Sequence, residues 1–414
     1  MSALQPVRGT HDILPDEMRR HRRVVETARD LAERYGYQEM STPIFEFTEV
    51  FRRPLGETSD VVAKEMYSFA DRGGEDITLR PEATAGVARA FLSANLTHDL
   101  PCKFFCHGPM FRYDRPQKGR QRQFHQINVE LLGVAEPLGD IEMIALAIDI
   151  LADLGVLART KLEINTLGDP ESRKAYRDVL VDYFSGHRDK LSAESADRLS
   201  RNPLRILDSK DAGDRRMVAG APSLHDHLNQ ASRDFFAAVT EGLDALGIAY
   251  AVNRRLVRGL DYYTHSIFEI TTEDLGAQAT VLGGGRYDGL IELLGGPPTP
   301  GVGWAGGIER LAMLMPDAPP ARRPIALVPI GAAAEGKALL IAQALRQAGF
   351  AVDLGFSGNL KKRMRRANKA GARAAVILGD DELASNAATV RDLESGEQEL
   401  ISLDALSERL ARFR

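Results

Sequence analysis

Four prolines fall within ten residues, Met315 to Pro324 (MPDAPPARRP). Proline lacks the backbone N–H that helices and central strands need, so neither can run through this segment. The chain, at 414 residues, is also long enough for two or three domains of about 150 residues each. We therefore predict a first domain at residues 1–318, a linker at 319–323 and a separate second domain at 324–414.

The composition indicates an ordinary globular protein. Hydrophobic residues make up 44% of the chain and charged residues 27%, which excludes a disordered or collagen-like protein. Every apolar stretch is interrupted well before the roughly 20 residues that a bilayer crossing requires, and the N-terminus has no apolar signal region. We expect a cytoplasmic protein without a membrane segment.

The two cysteines, Cys102 and Cys106, are too few for a disulfide framework and suit a reducing compartment. His107 is adjacent to them, so a metal site can be imagined there. A structural zinc ion needs four ligands, however, and no second cluster of Cys and His follows in the sequence. We therefore predict no metal site and expect both thiols to be buried as small apolar groups.

Charge is unevenly distributed along the chain. The net charge of −5 argues against a non-specific coat on nucleic acid, which needs cationic surface. From Arg323 onward there are 14 Lys and Arg against 11 Asp and Glu, whereas the preceding part has an excess of acidic residues. Basic surface is therefore predicted in the second domain.

Hydrophobic periodicity and capping signals divide the first domain into helices and strands. The pattern predicts helices at 15–35, 81–96 and 140–155, the last capped by Asp140, and strands at 103–113, 122–132, 262–272 and 279–282. Residues 169–245 are helical in pattern and are interpreted as an insertion. The polar, glycine-containing segment 114–121 is predicted to be a long hairpin loop.

The second domain alternates strands and helices. Strands are predicted at 325–330, 351–356 and 374–379, and helices at 333–348 and 360–370. Such alternation is typical of α/β folds in which right-handed crossovers join parallel strands. Helix 360–370 places Leu360, Met364 and Ala367 on a buried stripe among lysines and arginines. This pattern fits a solvated basic face as well as a nucleic-acid contact.

The strand from Arg122 to Leu132 is the most informative for function, because its alternation separates two kinds of face. One face consists of Phe124, Gln126, Asn128 and Glu130, and the other of His125 with three aliphatic residues. A solvated sheet surface would give the same pattern. The aromatic ring at one end, the carboxylate at the other and the nearby arginines favour the lining of a polar small-molecule pocket.

Three arginines lie at positions where a predicted strand or helix would fix their direction. Arg112 ends a strand, Arg258 precedes one, and Arg310 lies in the helix after a glycine run. Any one of them is better explained as an ion-pair partner. Together they suit a polyphosphate substrate, whose oxygens need several fixed cations.

Two glycine runs precede that helix. Gly301, Gly303 and Gly306 form a GxGxxG pattern, but the helix that follows leads into the prolines rather than into a strand with an acidic residue. A dinucleotide site is therefore not predicted, and these glycines are expected to let a strand lie close to a ligand. The run Gly283 to Gly285 is explained by a tight turn.

Taken in order, several segments resemble the histidyl-tRNA synthetase family of class II aminoacyl-tRNA synthetases. The resemblance runs from about Val7 to the C-terminus and rests on RGTHDILP at 8–15, TLRPE at 78–82, FRYDRPQKGRQRQFHQ at 111–126, RGLDYY at 258–263, GGRYDG at 284–289 and GVGWAGGIERL at 301–311. It implies an α+β fold, with an antiparallel sheet flanked by helices as the class II catalytic core. It also implies a helical insertion at about 169–245 and a C-terminal α/β anticodon-binding domain.

The resemblance further implies roles for individual residues. Arg258 and Arg112 are the implied catalytic residues, acting on the α-phosphate. The implied ATP contacts are Arg112, Asp114, Phe124 and Arg310, and the implied histidine contacts are Glu82, Ala83, Thr84, Arg112, Gln126, Glu130, Arg258, Tyr262 and Tyr263. The implied tRNA contacts are Arg120, Arg122, Lys361, Lys362 and Arg365. Family members usually have a glutamate two residues after the arginine that corresponds to Arg112, where this chain has the shorter Asp114.

The implied activity is the ATP-dependent ligation of L-histidine to its tRNA through a histidyl-adenylate, with release of AMP and pyrophosphate. Mg²⁺ is implied to accompany ATP, and the protein is implied to be a homodimer. Two other functions are considered: a noncatalytic, synthetase-like regulatory subunit of histidine biosynthesis, and a nucleotide-binding module without ligase activity. The regulatory proteins generally lack the anticodon-binding domain and the pocket residues that this sequence contains.

Overall fold

The computed structural model describes residues 4–56, 61–117, 119–209, 211–257, 262–276, 280–317 and 319–413. The chain divides into two compact units, Met1–Pro319 and Pro320–Arg414, and the division falls inside the segment of four prolines. Within the described ranges, no helix combines the length and the apolar character that crossing a bilayer would demand.

The helices and strands of the first unit alternate along the chain. The helices are α1 (Pro15–Arg34), α2 (Glu49–Leu55), α3 (Thr84–Ser93), α4 (Pro137–Asp153), α5 (Pro170–Ser185), α6 (Ala193–Arg201), α7 (Ala212–Ala219), α8 (Gln230–Ala245), α9 (Leu290–Leu293) and α10 (Ile308–Leu314). The strands are β1 (Gln38–Glu39), β2 (Phe45–Phe47), β3 (Tyr67–Ala70), β4 (Asp76–Leu79), β5 (Cys102–Phe111), β6 (Gln123–Leu132), β7 (Lys161–Thr166), β8 (Ala251–Val252), β9 (Thr264–Thr271), β10 (Thr280–Arg286) and β11 (Gly301–Gly307).

The main sheet of this unit has the strand order β1-β5-β6-β11-β10-β9-β7-β8. Its central strands pair antiparallel, while β1 joins β5 and β8 joins β7 in parallel at the two edges. The hairpin of β5 and β6 is paired from Cys102 opposite Leu132 to Phe111 opposite Gln123. The predicted antiparallel sheet is therefore confirmed, with parallel strands at its edges.

Helices α1, α4, α8 and α10 cover one face of the main sheet. Their apolar side chains form a common core with Ile127, Val129 and Leu131, the aliphatic face predicted for β6. Helix α8 lies in the segment predicted to be an insertion, yet its Val239 and Leu243 belong to this core. The opposite face of β6 is left for the polar side chains, because successive residues of a strand alternate between faces.

A separate sheet, in the order β2-β4-β3, belongs to the first unit as well. The second unit contains β12 (Ile325–Pro329), α11 (Ala332–Gln347), β13 (Val352–Leu354), α12 (Leu360–Lys369), β14 (Ala374–Leu378), α13 (Asp380–Ala384), β15 (Ala387–Asp392), β16 (Gln398–Ser402) and α14 (Leu406–Leu410). Strands β13, β12 and β14 are parallel as predicted, whereas β15 and β16 extend the sheet antiparallel.

Two sequence predictions about individual side chains on helices are wrong. Asp140 does not cap α4, which begins at Pro137; it lies one turn inside the helix, fully buried. There it accepts a 3.0 Å hydrogen bond from Arg286 Nε, because a buried carboxylate requires an ionic partner. In α12, Leu360 is 42% exposed and Arg363 is buried, where it pairs with Glu335 at 2.6 Å.

Candidate active site

A cavity of about 440 Å³ opens beside β6, β10 and β11, on the polar face of the main sheet. The predicted site residues that line it are Glu82, Thr84, Arg112, Asp114, Arg120, Phe124, Gln126, Tyr262, Tyr263 and Arg310. These residues come from segments far apart in the sequence, so the sheet brings them together. Asn128 and Glu130 on the same face of β6 are fully buried, so the interpretation of this face as a solvated surface is wrong.

The remaining predicted residues lie elsewhere. Ala83 is buried beside the cavity in a small apolar cluster, and the Arg122 guanidinium lies 3.9 Å over the Tyr113 ring. Lys361, Lys362 and Arg365 are exposed on α12 of the second unit. Arg258 lies outside the described residues.

Arg112 is fixed at the end of the hairpin strand β5. Its backbone N–H donates to the carbonyl of Arg122 at 2.9 Å, and its Nε donates to the carbonyl of Pro81 at 2.8 Å. The guanidinium also lies 5.3 Å from the centre of the Phe124 ring. A cation and an aromatic face are thus presented side by side, as a nucleotide would need for its phosphate and its base.

Arg310 enters the cavity from α10. Its Nε donates to the carbonyl of Gly119 at 3.0 Å, and a second nitrogen donates to the carbonyl of Thr280. Burial lowers the pKa of Arg310, and the positive charges of Arg120 and Arg112 lower it further. Cations that repel one another inside a cleft indicate a site built for a polyanion.

Asp114 is held by its own loop. Its Oδ2 is 2.5 Å from Arg120 Nε, and its Oδ1 accepts from the backbone N–H of Arg115 at 2.6 Å. Both carboxylate oxygens are therefore already engaged.

Glu82 is nearly fully buried at the start of α3. Its carboxylate accepts from the backbone N–H groups of Thr84 at 2.8 Å and Ala85 at 2.9 Å. This contact explains why α3 begins at Thr84, three residues after the predicted start, since free N–H groups at a helix N-terminus need acceptors. Burial raises the pKa of Glu82, while these hydrogen bonds and the charge of Arg112 oppose the rise.

Glu130 is enclosed on the same face of β6. Thr84 Oγ1 donates to its Oε1 at 2.6 Å, and the Tyr287 hydroxyl donates to its Oε2. Burial raises the pKa of Glu130 to about 8 against these hydrogen bonds. The carboxyl group does not itself line the cavity, but its hydrogen-bond partner Thr84 does.

The glycines of β11 make room for this arrangement. A Cβ on Gly303 would lie 1.8 Å from Glu130 Oε2, and one on Gly301 would lie 2.3 Å from the Tyr287 ring. The strand therefore lies close to protein side chains at these two positions, rather than to a ligand as the sequence predicted. The run Gly283 to Gly285 is likewise part of β10 and not a turn.

Sequence reasoning missed Tyr287 and Glu309. Tyr287 supports Glu130, and Glu309 lines the cavity while its carboxylate accepts from the backbone N–H of His125 at 2.9 Å. Both contacts join segments more than 150 residues apart. The family-like segments GGRYDG and GGIERL contain both residues, and they were the available signal.

Comparisons with known proteins cover both units. Residues 9–311 match a family profile described as histidyl-tRNA synthetase, and residues 325–412 match one described as an anticodon binding domain. The histidine–tRNA ligase of Rhodospirillum rubrum is 64% identical over 414 residues, which is 100% of each chain. That of Gluconacetobacter diazotrophicus is 56% identical over 411 residues, 99% of each chain.

The fold is also similar to that of a solved structure. The apo histidyl-tRNA synthetase of S. aureus is 35% identical, and the match covers 98% of this chain and 99% of that one with a TM-score of 0.83. These matches extend along nearly the whole length of the chain, and they include the segments that build the cavity. On these grounds the chain belongs to the histidyl-tRNA synthetase family.

Proposed function

We propose that this chain joins L-histidine to the 3′ end of its tRNA in two steps, and that the cavity of the first unit is the site of both. In the first step the histidine carboxylate attacks the α-phosphorus of ATP, which forms histidyl-adenylate and releases pyrophosphate. In the second step a ribose hydroxyl of the tRNA takes the histidyl group and AMP is released. The observation that carries this proposal is one cavity lined by Arg112, by Arg310 and by Thr84, the hydrogen-bond partner of the buried Glu130.

At the nucleotide end, Arg112 grips the α-phosphate and the histidine carboxylate, and Phe124 stacks on adenine. Arg310 holds the outer phosphates. Two anions must be aligned for the first step, and fixed guanidinium groups supply the opposing charge without reorganisation. The repulsion that lowers the pKa of Arg310 supports this assignment, because a bound polyphosphate would relieve it. Asp114 contacts the adenine amino group once Arg120 releases it.

At the amino-acid end, Glu82, Thr84 and Gln126 bind the ammonium group. The Gln126 Oε1 atom is buried and has no hydrogen-bond partner in the described part of the chain. Because buried acceptors are normally satisfied, this atom is available to accept a hydrogen bond from the substrate ammonium. Tyr262 and Tyr263, whose ring centres are 4.7 Å apart, form the wall with Ala83 beneath. Glu130 and Tyr263 hydrogen-bond the imidazole, and we infer that the Thr84 side chain rotates to expose Glu130 when histidine enters.

Arg258 is assigned by resemblance to stabilise the charge that develops at the α-phosphorus. Mg²⁺ enters with ATP as part of the nucleotide substrate. Such an ion usually keeps phosphate oxygens and water as ligands.

For tRNA, we assign contacts to both units. Arg120 lines the cavity, where the acceptor end must arrive, and Arg122 lies two residues further along the same hairpin. In the second unit, proposed as the anticodon-binding domain from residue 324 onward, Lys361, Lys362 and Arg365 offer exposed cations to phosphate groups. Residues 1–318 would then form the catalytic domain and 319–323 the linker.

We also propose that the protein is a homodimer, with the sheet of β2, β4 and β3 at the interface. Its cross-strand pairs place Phe45, Leu79 and Tyr67 in one row and Phe47, Ile77 and Phe69 in the next, all on one face. Phe45 and Phe47 are each 58% exposed and Phe69 is 50% exposed, whereas Glu46 and Thr78 on the other face are buried. An apolar face turned outward in this way favours a protein partner, here a second copy of the chain.

We assign the protein to the cytoplasm, where its tRNA substrate is charged. Cys102 and Cys106 are both free thiols, which suits a reducing compartment.

Histidine-dependent exchange of pyrophosphate into ATP tests the activity directly, with the other amino acids as controls. We expect exchange with histidine and at least about 10⁴-fold less with any other amino acid, because buried polar groups are left unpaired by the wrong side chain. ATP binding without exchange would favour the nucleotide-binding module, and absence of both would favour the regulatory subunit.

A further inference from the structure

Three potential metal ligands meet on the helix-covered side of β6. None of them is assigned to a substrate, although Glu309 also lines the cavity. They are His21 of α1, His125 of β6 and Glu309 of α10. One ligand atom from each lies within 4.8 Å of the other two. His125 Nδ1 is already 2.8 Å from Glu309 Oε1.

The His21 ring gives a second and independent observation. This side chain is only 4% exposed, and its Nε2 atom has no hydrogen-bond partner in the described residues. The Glu17 carboxylate is 3.9 Å away, beyond hydrogen-bond distance. A buried imidazole nitrogen without a partner is costly unless it gains a ligand.

Neutral imidazole and ionised carboxylate are the forms that coordinate metal. His125 Nδ1 lies within hydrogen-bond distance of Glu309 Oε1, so the proton between these two atoms must leave before both can bind the ion.

The geometry nearly fits zinc. Ligand atoms about 2.1 Å from a tetrahedral zinc ion lie about 3.4 Å apart, so the widest separation here would need to close by at most roughly 1.4 Å. An adjacent pocket of about 730 Å³, lined by His11, Glu17 and Glu309 among others, gives a route of entry. Glu17 is also near enough to act as a fourth ligand.

We propose that His21, His125 and Glu309 bind a zinc ion between α1, β6 and α10. Two imidazoles and one carboxylate are a known ligand set for zinc. The ion would tie α1 and β6 to the residue next to Arg310, and so fix the helix that presents Arg310 to the cavity. The three ligands are separated by more than 100 residues at each step, so no spacing in the sequence indicates the site.

Metal binding to the full-length, chelator-treated protein tests this proposal without reference to activity. Co²⁺ serves as a spectroscopic probe, because a tetrahedral site gives visible absorption. We expect one equivalent of Co²⁺ to bind to the wild type and to be displaced by Zn²⁺. In His21→Gln the affinity for Co²⁺ should fall by more than about 100-fold. This exceeds the loss expected for a residue that only hydrogen-bonds a metal ligand. His107→Gln is the matched control, because His107 contacts a single carboxylate, Glu39, at 3.2 Å. It should bind Co²⁺ as the wild type does.

Diffraction from Zn²⁺-soaked crystals of the wild-type protein provides a measurement that no folding defect of a variant can obscure. An anomalous peak within about 2.3 Å of all three ligand atoms supports the proposal. Absence of a peak there, a peak at another position only, or Co²⁺ binding that is unchanged in His21→Gln would overturn it.

Discussion

The hydroxyl of Tyr287 donates a hydrogen bond to Oε2 of Glu130, and this contact joins the residue after β10 to the polar face of β6. The other oxygen of Glu130 is held by Thr84, which lines the cavity. Glu130 is therefore held from two sides, and only one of the two residues that hold it, Thr84, lines the cavity. The contact with Tyr287 can be removed without altering any residue that lines the cavity.

Replacement of Tyr287 by phenylalanine should impair histidine binding selectively. Loss of one donor to a buried carboxyl group costs about 2 kcal/mol, or roughly a 30-fold rise in KM for histidine, because the group is left partly unsatisfied. The KM for ATP should be unchanged. Pyrophosphate exchange measures both constants. Tyr183→Phe is the control, because the Tyr183 hydroxyl donates to the carbonyl of Met217 and neither residue lines the cavity. An equal rise in both KM values would contradict the assignment.

The buried Glu130 should make stability depend on pH. Burial raises its pKa from an ordinary 4.5 to about 8, so between these values the native chain keeps a proton that the unfolded chain releases. The free energy of unfolding should therefore fall as pH rises through this window, by up to about 1.4 kcal/mol per pH unit. Glu130→Gln has no such proton, so its stability relative to wild type should increase from about pH 5 to about pH 8.

Urea unfolding of both proteins across this pH range measures the effect. Glu26→Gln, at an exposed position of α1, should keep the wild-type dependence. A constant difference between Glu130→Gln and wild type would show that Glu130 does not titrate in the window.

Arg258→His should slow adenylate formation by about 10³-fold, the upper range for loss of one group that stabilises transition-state charge. Circular dichroism should show an intact fold. Arg255→His, three residues away at an exposed position, should exchange pyrophosphate normally. Near-normal exchange in Arg258→His would remove Arg258 from the mechanism.

The basic residues of α12 should matter for tRNA and not for the adenylate. The triple variant Lys361→Ala, Lys362→Ala, Arg365→Ala should raise KM for tRNA by roughly 10-fold and reduce the salt dependence of binding by about 0.7 to 0.9 per lost phosphate contact. Histidine-dependent pyrophosphate exchange should be unaffected. Lys337→Ala with Arg409→Ala removes exposed charge from the same unit and should leave charging unchanged. Equal tRNA binding in both variants would argue against α12 as a contact surface.

Phe47→Lys should convert the protein to a monomer, because it buries a charge in the proposed interface. Analytical ultracentrifugation measures the change directly. Phe356→Lys is the control, since Phe356 is 70% exposed in the second unit, where we propose no interface. A wild-type protein that sediments as a monomer would refute the dimer.

Much of the first unit could be predicted because its signals are local. The alternation in β6 identified which side chains face the cavity, and the proline at the start of α1 fixed that helix. Asp140 shows the limit of such reasoning: its position suggested a cap, but its partner Arg286 comes from a strand 146 residues later. A contact of that kind depends on sheet order, which no local pattern contains.

In the candidate site, too, local patterns could be predicted and contacts between distant segments could not. Arg112, Phe124, Gln126 and Arg310 were predicted and line one cavity. The start of α3 was misplaced because the capping carboxylate of Glu82 precedes the helix by two residues and is recognisable only from its contacts. The apolar face of the small sheet was not recognised either, because β2 and β4 are only three and four residues long.

The absence of a side chain at Gly303 has a bearing on attempts to change the amino acid that this enzyme accepts. Position 303 and position 130 share one volume, so neither can grow unless the other shrinks. Redesign toward a substrate without an imidazole would have to treat the two positions as a single choice, for example alanine at both. A screen that varies position 303 while keeping Glu130 would discard every larger residue there as a folding failure.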